Sequence, residues 1–225
     1  DVFGFGMNRG IGEQDSGKYD IQEEVFYGCL AAGVVKREVL DEVGIFDETY
    51  FGYHEDVDLS WKIRLAGYKI IYVPGSTVYH AHMSTNAKYK PSSLLYFWEK
   101  NRLRSLLKNY SLLSLLFILP VLFALKCLHV VFSATKGKLR DIAALFRALK
   151  WNALHLGNTL EHRKRAQALR KVPDSVVMKT MLKTSMEAAL GLGLMKHPSM
   201  SKLFKQTAQD EKLKKNFDEP LEKEA

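Results

Sequence analysis

Residues 44–64 read GIFDETYFGYHEDVDLSWKIR, and the architecture of the chain is organised around them. An aromatic loop is followed by an acidic run at residues 55–58, and then by apolar residues with a period near that of a helix. This pattern predicts a helix from Glu55 to Ala66 that ends at Gly67. Glycine readily adopts the left-handed conformation that closes many helices.

The predicted helix is apolar on two opposite sides when successive residues turn by about 100°. The apolar stripes are Val57, Trp61 and Leu65 on one side, and Leu59, Ile63 and Ala66 on the other. The polar stripes between them are Glu55, Asp58 and Lys62, and Asp56, Ser60 and Arg64. A helix with two apolar sides is packed on two sides, so we expect it at the centre of its domain.

The three carboxylates of the acidic run diverge around this helix. Asp58 and Lys62 have the spacing of an i,i+4 ion pair, which predicts a structural role for Asp58. Glu55 and Asp56, in the first turn, are candidates for accepting a proton from a substrate. Acidic residues are also favoured at a helix start because they offset the positive end of its dipole. The spacing alone leaves both interpretations open.

The chain as a whole is basic and poor in cysteine. Its 225 residues carry a formal net charge of +8, and the basic excess is concentrated after residue 100. This balance favours an acidic partner such as anionic lipid, nucleic acid or a phosphorylated ligand. Cys29 and Cys127 make neither a zinc pattern nor a disulfide framework, which predicts a reducing, cytosolic setting. A start at Asp1, without an initiator methionine or secretory signal, predicts a piece of a longer protein.

Composition divides the chain into three zones, residues 1–97, 98–171 and 172–225. The first is predicted to be mixed α/β, with a buried strand over 24–35, a short helix over 36–43 and a strand over 68–73. The third opens with a helix-start signal at Pro173 and continues as a Met-rich helix, with methionines suited to packing on a partner or membrane. From about Gln209 the high charge predicts disorder.

The middle zone contains 17 residues without a charge at 109–125, mostly Leu, Phe, Ile and Val, with Pro120 in the middle. A membrane-spanning helix needs roughly 20 apolar residues, and basic residues flank this run on both sides without the usual asymmetry. We expect a helix that lies in the membrane interface or re-enters it; a spanning helix and a buried helix of a soluble domain are the alternatives. The basic residues 162–165 and 170–171 are expected to contact anionic headgroups, with a solvated helix face as the alternative.

The 44–64 stretch also resembles family-2 glycosyltransferases, especially their rhamnosyltransferase-like branch. In that pattern a Gly-x-Phe-Asp-Glu loop leads to Glu-Asp-x-Asp-Leu and a helix with basic residues. Further similar segments are residues 4–6, 17–20, 24–26, 67–68, 72–74, 78–80, 99–102 and 107–109. Together they cover about residues 1 to 110, which makes the resemblance more specific than any single motif.

The resemblance implies an α/β fold, a partial nucleotide-diphospho-sugar transferase (GT-A-like) fold followed by an α-helical membrane-associating region. By the same resemblance Asp56 takes the place of the general base and Glu55 stands beside it in the catalytic pair. Glu55 would orient the acceptor sugar together with Phe51 and Tyr53. Arg102 lies in a similar Arg-Asn segment and is a candidate substrate-binding residue.

The resemblance also implies a divalent metal ion, manganese or magnesium, with His80 as a ligand. Such an ion offsets the charge that grows on a leaving diphosphate, while a carboxylate takes the proton of a poorly nucleophilic hydroxyl. In-line attack would invert the anomeric carbon. The implied partners are a nucleotide-sugar donor, a glycan or lipid-linked acceptor and a membrane surface. The expected location is the cytoplasmic face of the cell membrane, peripheral or single-pass.

The sequence departs from the family pattern in one respect. It has no opening strand with a nucleotide-binding turn, and its Asp-x-Asp at residues 56–58 opens a helix instead of following a strand. The chain is therefore predicted to be the acceptor-side half plus a membrane-associating tail. The alternative is a non-catalytic, membrane-peripheral docking module derived from a glycosyltransferase. Nucleic-acid binding is disfavoured because the basic residues lack interleaved aromatic residues.

Overall fold

The computed structural model describes residues 1–10, 13–78, 91–185 and 188, and these residues are mostly helical. The helices are α1 (Arg37–Val43), α2 (Glu55–Leu65), α3 (Pro91–Asn109), α4 (Leu112–Thr135), α5 (Leu139–Leu154), α6 (Leu156–Ala168) and α7 (Asp174–Val177). The strands are β1 (Glu23–Val25) and β2 (Ile70–Tyr72). Single 3₁₀ turns occur at Leu30–Ala32 and Met178–Thr180.

The two strands form an antiparallel pair in which Glu23 lies opposite Tyr72. The predicted strand over 68–73 is confirmed as β2, and the short helix over 36–43 as α1. The predicted buried strand over 24–35 is wrong beyond Val25, because the segment bends into a 3₁₀ turn and Val34 is fully exposed. A two-stranded sheet does not test the nucleotide-sugar transferase fold, which stays a prediction.

Helix α2 is packed on two sides, as its sequence predicts. It runs from Glu55 to Leu65, and Gly67 follows it with a left-handed φ of 86°. On one side Trp61 and Leu65 join a core formed with α3, α4 and the α7 region. On the other side Leu59, Ile63 and Ala66 pack against Val39 and Val43 of α1. Both stripes are buried, so the helix occupies the centre of the domain.

The predicted zone boundary at residue 97 falls inside α3, which packs against α2, α5 and α6. The polar side of α3 is buried along with its apolar side. Lys100, Asn101, Arg104 and Lys108 are each at most 4% exposed. These side chains form the polar layer that joins the first zone of the chain to the second.

Helix α4 continues through Pro120 and Lys126 for 24 residues, long and apolar enough to cross a membrane. Its inner side packs in the core through Leu115, Ile118 and Leu122. Only 17% of its most apolar stretch is buried, which does not fit a core helix of a soluble domain. Its outer surface exposes Leu112, Leu113, Leu116, Phe117, Val121, Phe123, Leu128, Val131 and Phe132.

Several basic residues in and just after α6 bind groups within the protein. Arg163 donates to the Leu107 and Tyr110 carbonyl oxygens at 2.6 Å, and Arg170 donates to the Asn109 carbonyl oxygen at 2.6 Å. They satisfy carbonyl groups that the end of α3 leaves without helical partners. These two arginines thus bind backbone groups of the protein itself, and the contact of the cluster with anionic headgroups stays a prediction. Arg165 pairs with Glu161 on its own helix.

The predicted Met-rich helix is wrong over the part described. Helix α7 has four residues, and after the following 3₁₀ turn the chain is extended at Met181. Met181 packs into the protein's own core beside Tyr110, whose hydroxyl group lies 3.5 Å from the methionine sulfur. Apart from residue 188, the rest of the predicted Met-rich helix and the charged tail predicted to be disordered from about Gln209 lie outside the described residues.

Candidate active site at the start of α2

The loop that leads into α2 has an unusual backbone. Tyr53 and His54 both adopt left-handed conformations, with φ values of 64° and 69°. Such conformations cost of order 1–3 kcal/mol for residues other than glycine, so the surrounding structure must hold them. The first helical hydrogen bond then runs from the Asp58 backbone N–H to the His54 carbonyl oxygen at 2.8 Å. The strained pair therefore fixes the point at which α2 begins.

Helix α3 holds this loop through side chains that reach its backbone. The Asn101 side-chain amide donates to the carbonyl oxygens of Gly52 at 2.8 Å and Tyr53 at 2.7 Å. The Lys100 ammonium donates to the Thr49 carbonyl oxygen at 3.0 Å. Asn101 is fully buried, and its Oδ1 atom has no hydrogen-bond partner among the described residues. The sequence placed Asn101 in a segment similar to family-2 glycosyltransferases, residues 99–102, but did not predict that its side chain binds this loop.

The two aromatic residues predicted to bind substrate pack against the start of α3. Phe51 lies 5.5 Å from the Phe97 ring and remains 69% exposed. Tyr53 makes an edge contact with Trp98 at 5.4 Å and is half-buried. The face of Phe51 is therefore accessible to a ligand, while the ring of Tyr53 is already engaged within the protein. Their substrate-binding roles stay predictions.

Asp56 is half-buried in the first turn of α2. Its Oδ1 atom accepts a hydrogen bond from the Val57 backbone N–H at 2.7 Å. Burial and then the neighbouring Glu55 carboxylate raise the pKa of Asp56 to about 6. Across from it, burial and then the charge of Asp56 raise the pKa of Tyr27. A carboxylate with this pKa is partly protonated near neutral pH and is suited to exchange a proton with a ligand.

Two neighbouring side chains contribute buried atoms without partners. Among the described residues, neither the Glu55 Oε2 atom nor the His54 Nδ1 atom has a hydrogen-bond partner. Burial and then the positive charge of Arg102 lower the pKa of His54 to about 3, so its imidazole is neutral at physiological pH. The start of α2 therefore combines one perturbed carboxylate with two buried polar atoms that have no partner among the described residues.

Arg102 lies close to this loop but is only 3% exposed. Its guanidinium pairs with Glu99 at 3.4 Å, and its Cγ atom lies against Gly4, where an added Cβ would be 3.1 Å away. The N-terminal segment thus covers Arg102, and its substrate-binding role stays a prediction. His80, the predicted metal ligand, lies outside the described residues. Within the described ranges, no group of three or more His, Cys, Asp or Glu side chains could hold a metal ion.

A cavity in the described part of the chain lies next to the start of α2. It has a volume of about 1410 Å³ and is lined by β1, β2, the Gly-rich N-terminal loop and one side of α2. Val57 and Tyr27 line it, whereas Asp56 and Glu55 do not. Asp56 therefore lies at the border of the cavity, next to two of its lining residues.

Asp58 is buried in a charged layer between α2 and α3, which the sequence did not predict. The Lys108 ammonium donates to Asp58 Oδ2 at 2.8 Å and to Asp47 Oδ2 at 2.6 Å, and Arg104 also pairs with Asp47 at 3.0 Å. The predicted pair of Asp58 with Lys62 is wrong, because Lys62 donates instead to the Ile45 carbonyl oxygen at 2.6 Å.

The structural role predicted for Asp58 fits this arrangement. Burial alone would raise the pKa of Asp47, but the Lys108 ammonium holds that pKa well below its ordinary value. Both carboxylates of the layer are thus matched by cations from α3. The layer fixes the 44–54 loop and α2 against α3 and leaves Asp56 on a different side of the helix.

A segment of this chain is similar to known glycosyltransferases. Over 67 residues, or 30% of the chain, it is 42% identical to the N-acetylglucosaminyl-diphospho-decaprenol L-rhamnosyltransferase of Mycobacterium tuberculosis strain CDC 1551 / Oshkosh. The protein of the same name from strain ATCC 25618 / H37Rv matches equally well. The match spans 20% of the length of these curated relatives. No family model and no solved structure matches the chain. The similarity supports a relationship to glycosyltransferases.

Proposed function

We propose that this chain is the acceptor-side portion of an inverting glycosyltransferase in which Asp56 accepts the proton of the acceptor hydroxyl group. The observation that carries the proposal is the half-buried Asp56 carboxylate, whose pKa of about 6 is close to a working pH. The partial similarity to rhamnosyltransferases supports the same reaction class.

In the proposed reaction the acceptor oxygen forms a bond to the anomeric carbon of the donor sugar. The bond from that carbon to the diphosphate oxygen breaks, and the diphosphate leaves with the electron pair. Asp56 takes the proton that the acceptor oxygen loses. Attack from the side opposite the diphosphate inverts the anomeric carbon. Glu55, beside Asp56 in the first turn, is proposed to orient the acceptor sugar, and the exposed ring of Phe51 offers that sugar an apolar surface.

Donor binding and the divalent metal ion are part of the proposal through the family resemblance only. The expected chemistry of a manganese or magnesium ion is to offset the charge of the leaving diphosphate. His80 is the predicted ligand, and the described residues do not by themselves supply a donor set. Loss of transfer after dialysis against EDTA, and its return with manganese or magnesium, is the expected result. Transfer that persists without added metal would contradict it.

A lipid-linked acceptor fits the exposed apolar surface of α4. The relatives are named for a decaprenol-linked acceptor, and the outer side of α4 exposes Leu116, Phe117 and Phe123. Because its inner side packs on the domain core, we propose that α4 lies in the membrane interface, at the cytoplasmic face, instead of crossing the bilayer. The Asp56 site would then be held close to acceptors anchored in the same membrane.

The test uses protein expressed from the complete reading frame in which this sequence lies. Transfer of a labelled sugar from a nucleotide sugar to a lipid-linked acceptor is measured for the parent protein and for Asp56→Asn. Loss of a general base predicts a kcat lower by roughly 10²–10⁴-fold. Asp41→Asn, an exposed carboxylate of α1, is the matched control and should leave kcat unchanged. An Asp56→Asn protein with normal kcat would contradict the proposal.

The second candidate function is a membrane-peripheral docking module without catalysis. The exposed surface of α4 favours it independently of Asp56. Binding to lipid vesicles with no transfer by either the parent protein or Asp56→Asn would support it over the first.

A further inference from the structure

We infer that Asn101 is a positioning residue: it holds the strained 52–54 loop and so aims Glu55 and Asp56 toward the acceptor. Its two side-chain N–H groups bind the carbonyl oxygens of Gly52 and Tyr53, at 2.8 and 2.7 Å. Asn101 itself contacts neither proposed catalytic carboxylate, so it acts through the loop. The effect of Asn101 on sugar transfer rests on the proposed function, whereas its effect on the Asp56 titration does not.

The reason for such a clamp lies in the backbone of the loop. Tyr53 and His54 have φ values of 64° and 69°, a region that side chains with a Cβ rarely occupy. Glycine would tolerate these angles without a clamp. Here the strained conformation is instead stabilised by two hydrogen bonds from a fully buried side chain of another helix.

The clamp connects directly to the start of α2. The carbonyl oxygen of His54, one residue beyond the clamped carbonyl groups, accepts the first helical hydrogen bond from Asp58. Release of the loop would shift this first turn, and Glu55 and Asp56 belong to it. Among the described residues, Asp56 interacts electrostatically with Glu55 on the same helix and with Tyr27 from the segment after β1.

Asn152 of α5 provides a matched control. Its side-chain amide also donates to two carbonyl oxygens, those of Lys100 and Ala148, each at 3.0 Å. It is 3% exposed, and its Oδ1 atom likewise has no partner among the described residues. Asn101→Ala and Asn152→Ala therefore remove equivalent bonds, but only the first removes them from the strained loop.

The experiment follows Asp56 by carboxyl-carbon NMR titration of the 225-residue chain in mild detergent. We expect Asp56 to titrate near 6 in the parent chain and in Asn152→Ala. In Asn101→Ala the released turn admits water, and the pKa of Asp56 should fall by at least about one unit toward its ordinary value. Equal Asp56 titrations in the two variants would overturn the inference.

Rescue distinguishes positioning from a general loss of packing. His54→Gly relieves the backbone strain, so in the Asn101→Ala background it should return the Asp56 titration toward the parental value. An Asp56 pKa that stays as low as in Asn101→Ala alone would count against the inference. If Asn101→Ala does not fold, Asn101→Ser, which keeps one donor, is titrated in its place. It too should lower the Asp56 pKa, and adding His54→Gly should raise that pKa again.

The transfer assay separates this inference from the proposed function. With protein from the complete reading frame, Asn101→Ala should lower kcat at least tenfold and leave the KM for the donor unchanged, while Asn152→Ala keeps the parental kcat. If Asn101→Ala lowers the Asp56 pKa but the parent protein transfers no sugar, the positioning role stands and the proposed function is refuted. Parental kcat in Asn101→Ala would refute the positioning role in a protein that transfers sugar.

Discussion

Replacing Asp56 by asparagine removes a carboxylate whose charge is disfavoured in the folded protein. Asparagine keeps the shape of the protonated acid, and its Oδ1 atom can still accept the Val57 N–H bond. Folding raises the pKa of Asp56, so its protonated carboxyl group stabilises the folded protein fully only below the pKa of the unfolded chain. This stabilisation is lost as the pH rises through the folded-state pKa of about 6. Asp56→Asn should therefore stabilise the chain increasingly from acid to neutral pH.

The size of the effect follows from the two pKa values. A rise from 3.8 to about 6 is about two units, each equivalent to about 1.4 kcal/mol. Linkage then predicts a gain in the free energy of unfolding of about 3 kcal/mol at pH 7.5, which falls to about 0.5 kcal/mol at pH 4. The same substitution should abolish transfer, so stability and activity change in opposite directions.

The assay is urea unfolding in a non-denaturing detergent, followed by tryptophan fluorescence at pH 4 and pH 7.5. Trp61 lies in the core beside α3 and should report loss of the packing around α2. Asp41→Asn serves as the control, because it removes an exposed carboxylate of another helix. An Asp56→Asn protein whose stability difference is the same at both pH values, or that is less stable at pH 7.5, would refute the reasoning.

Two further substitutions test the charged layer and the membrane surface. Lys108→Met removes the cation that pairs with Asp58 and one of the two that pair with Asp47, and it should lower the free energy of unfolding by about 3–5 kcal/mol in the same urea titration. Arg37→Met, in an exposed ion pair, should change that free energy little, and equal effects of the two substitutions would argue against the layer. Leu116→Ser with Phe117→Ser should weaken sedimentation with lipid vesicles at least about tenfold, since each exposed side chain contributes about 1.5–3 kcal/mol when buried. Ile21→Ser, an equally exposed residue near β1, should leave vesicle binding unchanged.

The candidate site could be predicted in part because its information is local. The acidic run, the helix period and the glycine after it lie within 13 residues, 55–67, and they correctly predicted the position and the two-sided packing of α2. The predicted strand at 24–35 failed because an apolar segment forms a strand only where a neighbouring strand pairs with it. Beyond Val25, β2 supplies no such neighbour.

The sequence by itself determined the helices α1 and α2 and the two apolar sides of α2, since both depend on residues within a few turns of one another. Tertiary structure alone decided the polar partners. Asp58 lies four residues from Lys62 yet pairs with Lys108, and Arg163 and Arg170 bind carbonyl groups at the end of α3. Buried charges and unsatisfied carbonyl groups take the partners that packing brings into the same enclosed space, and those partners lie 50 or more residues away. For the same reason, Asn101 meets the 52–54 loop only in the folded protein.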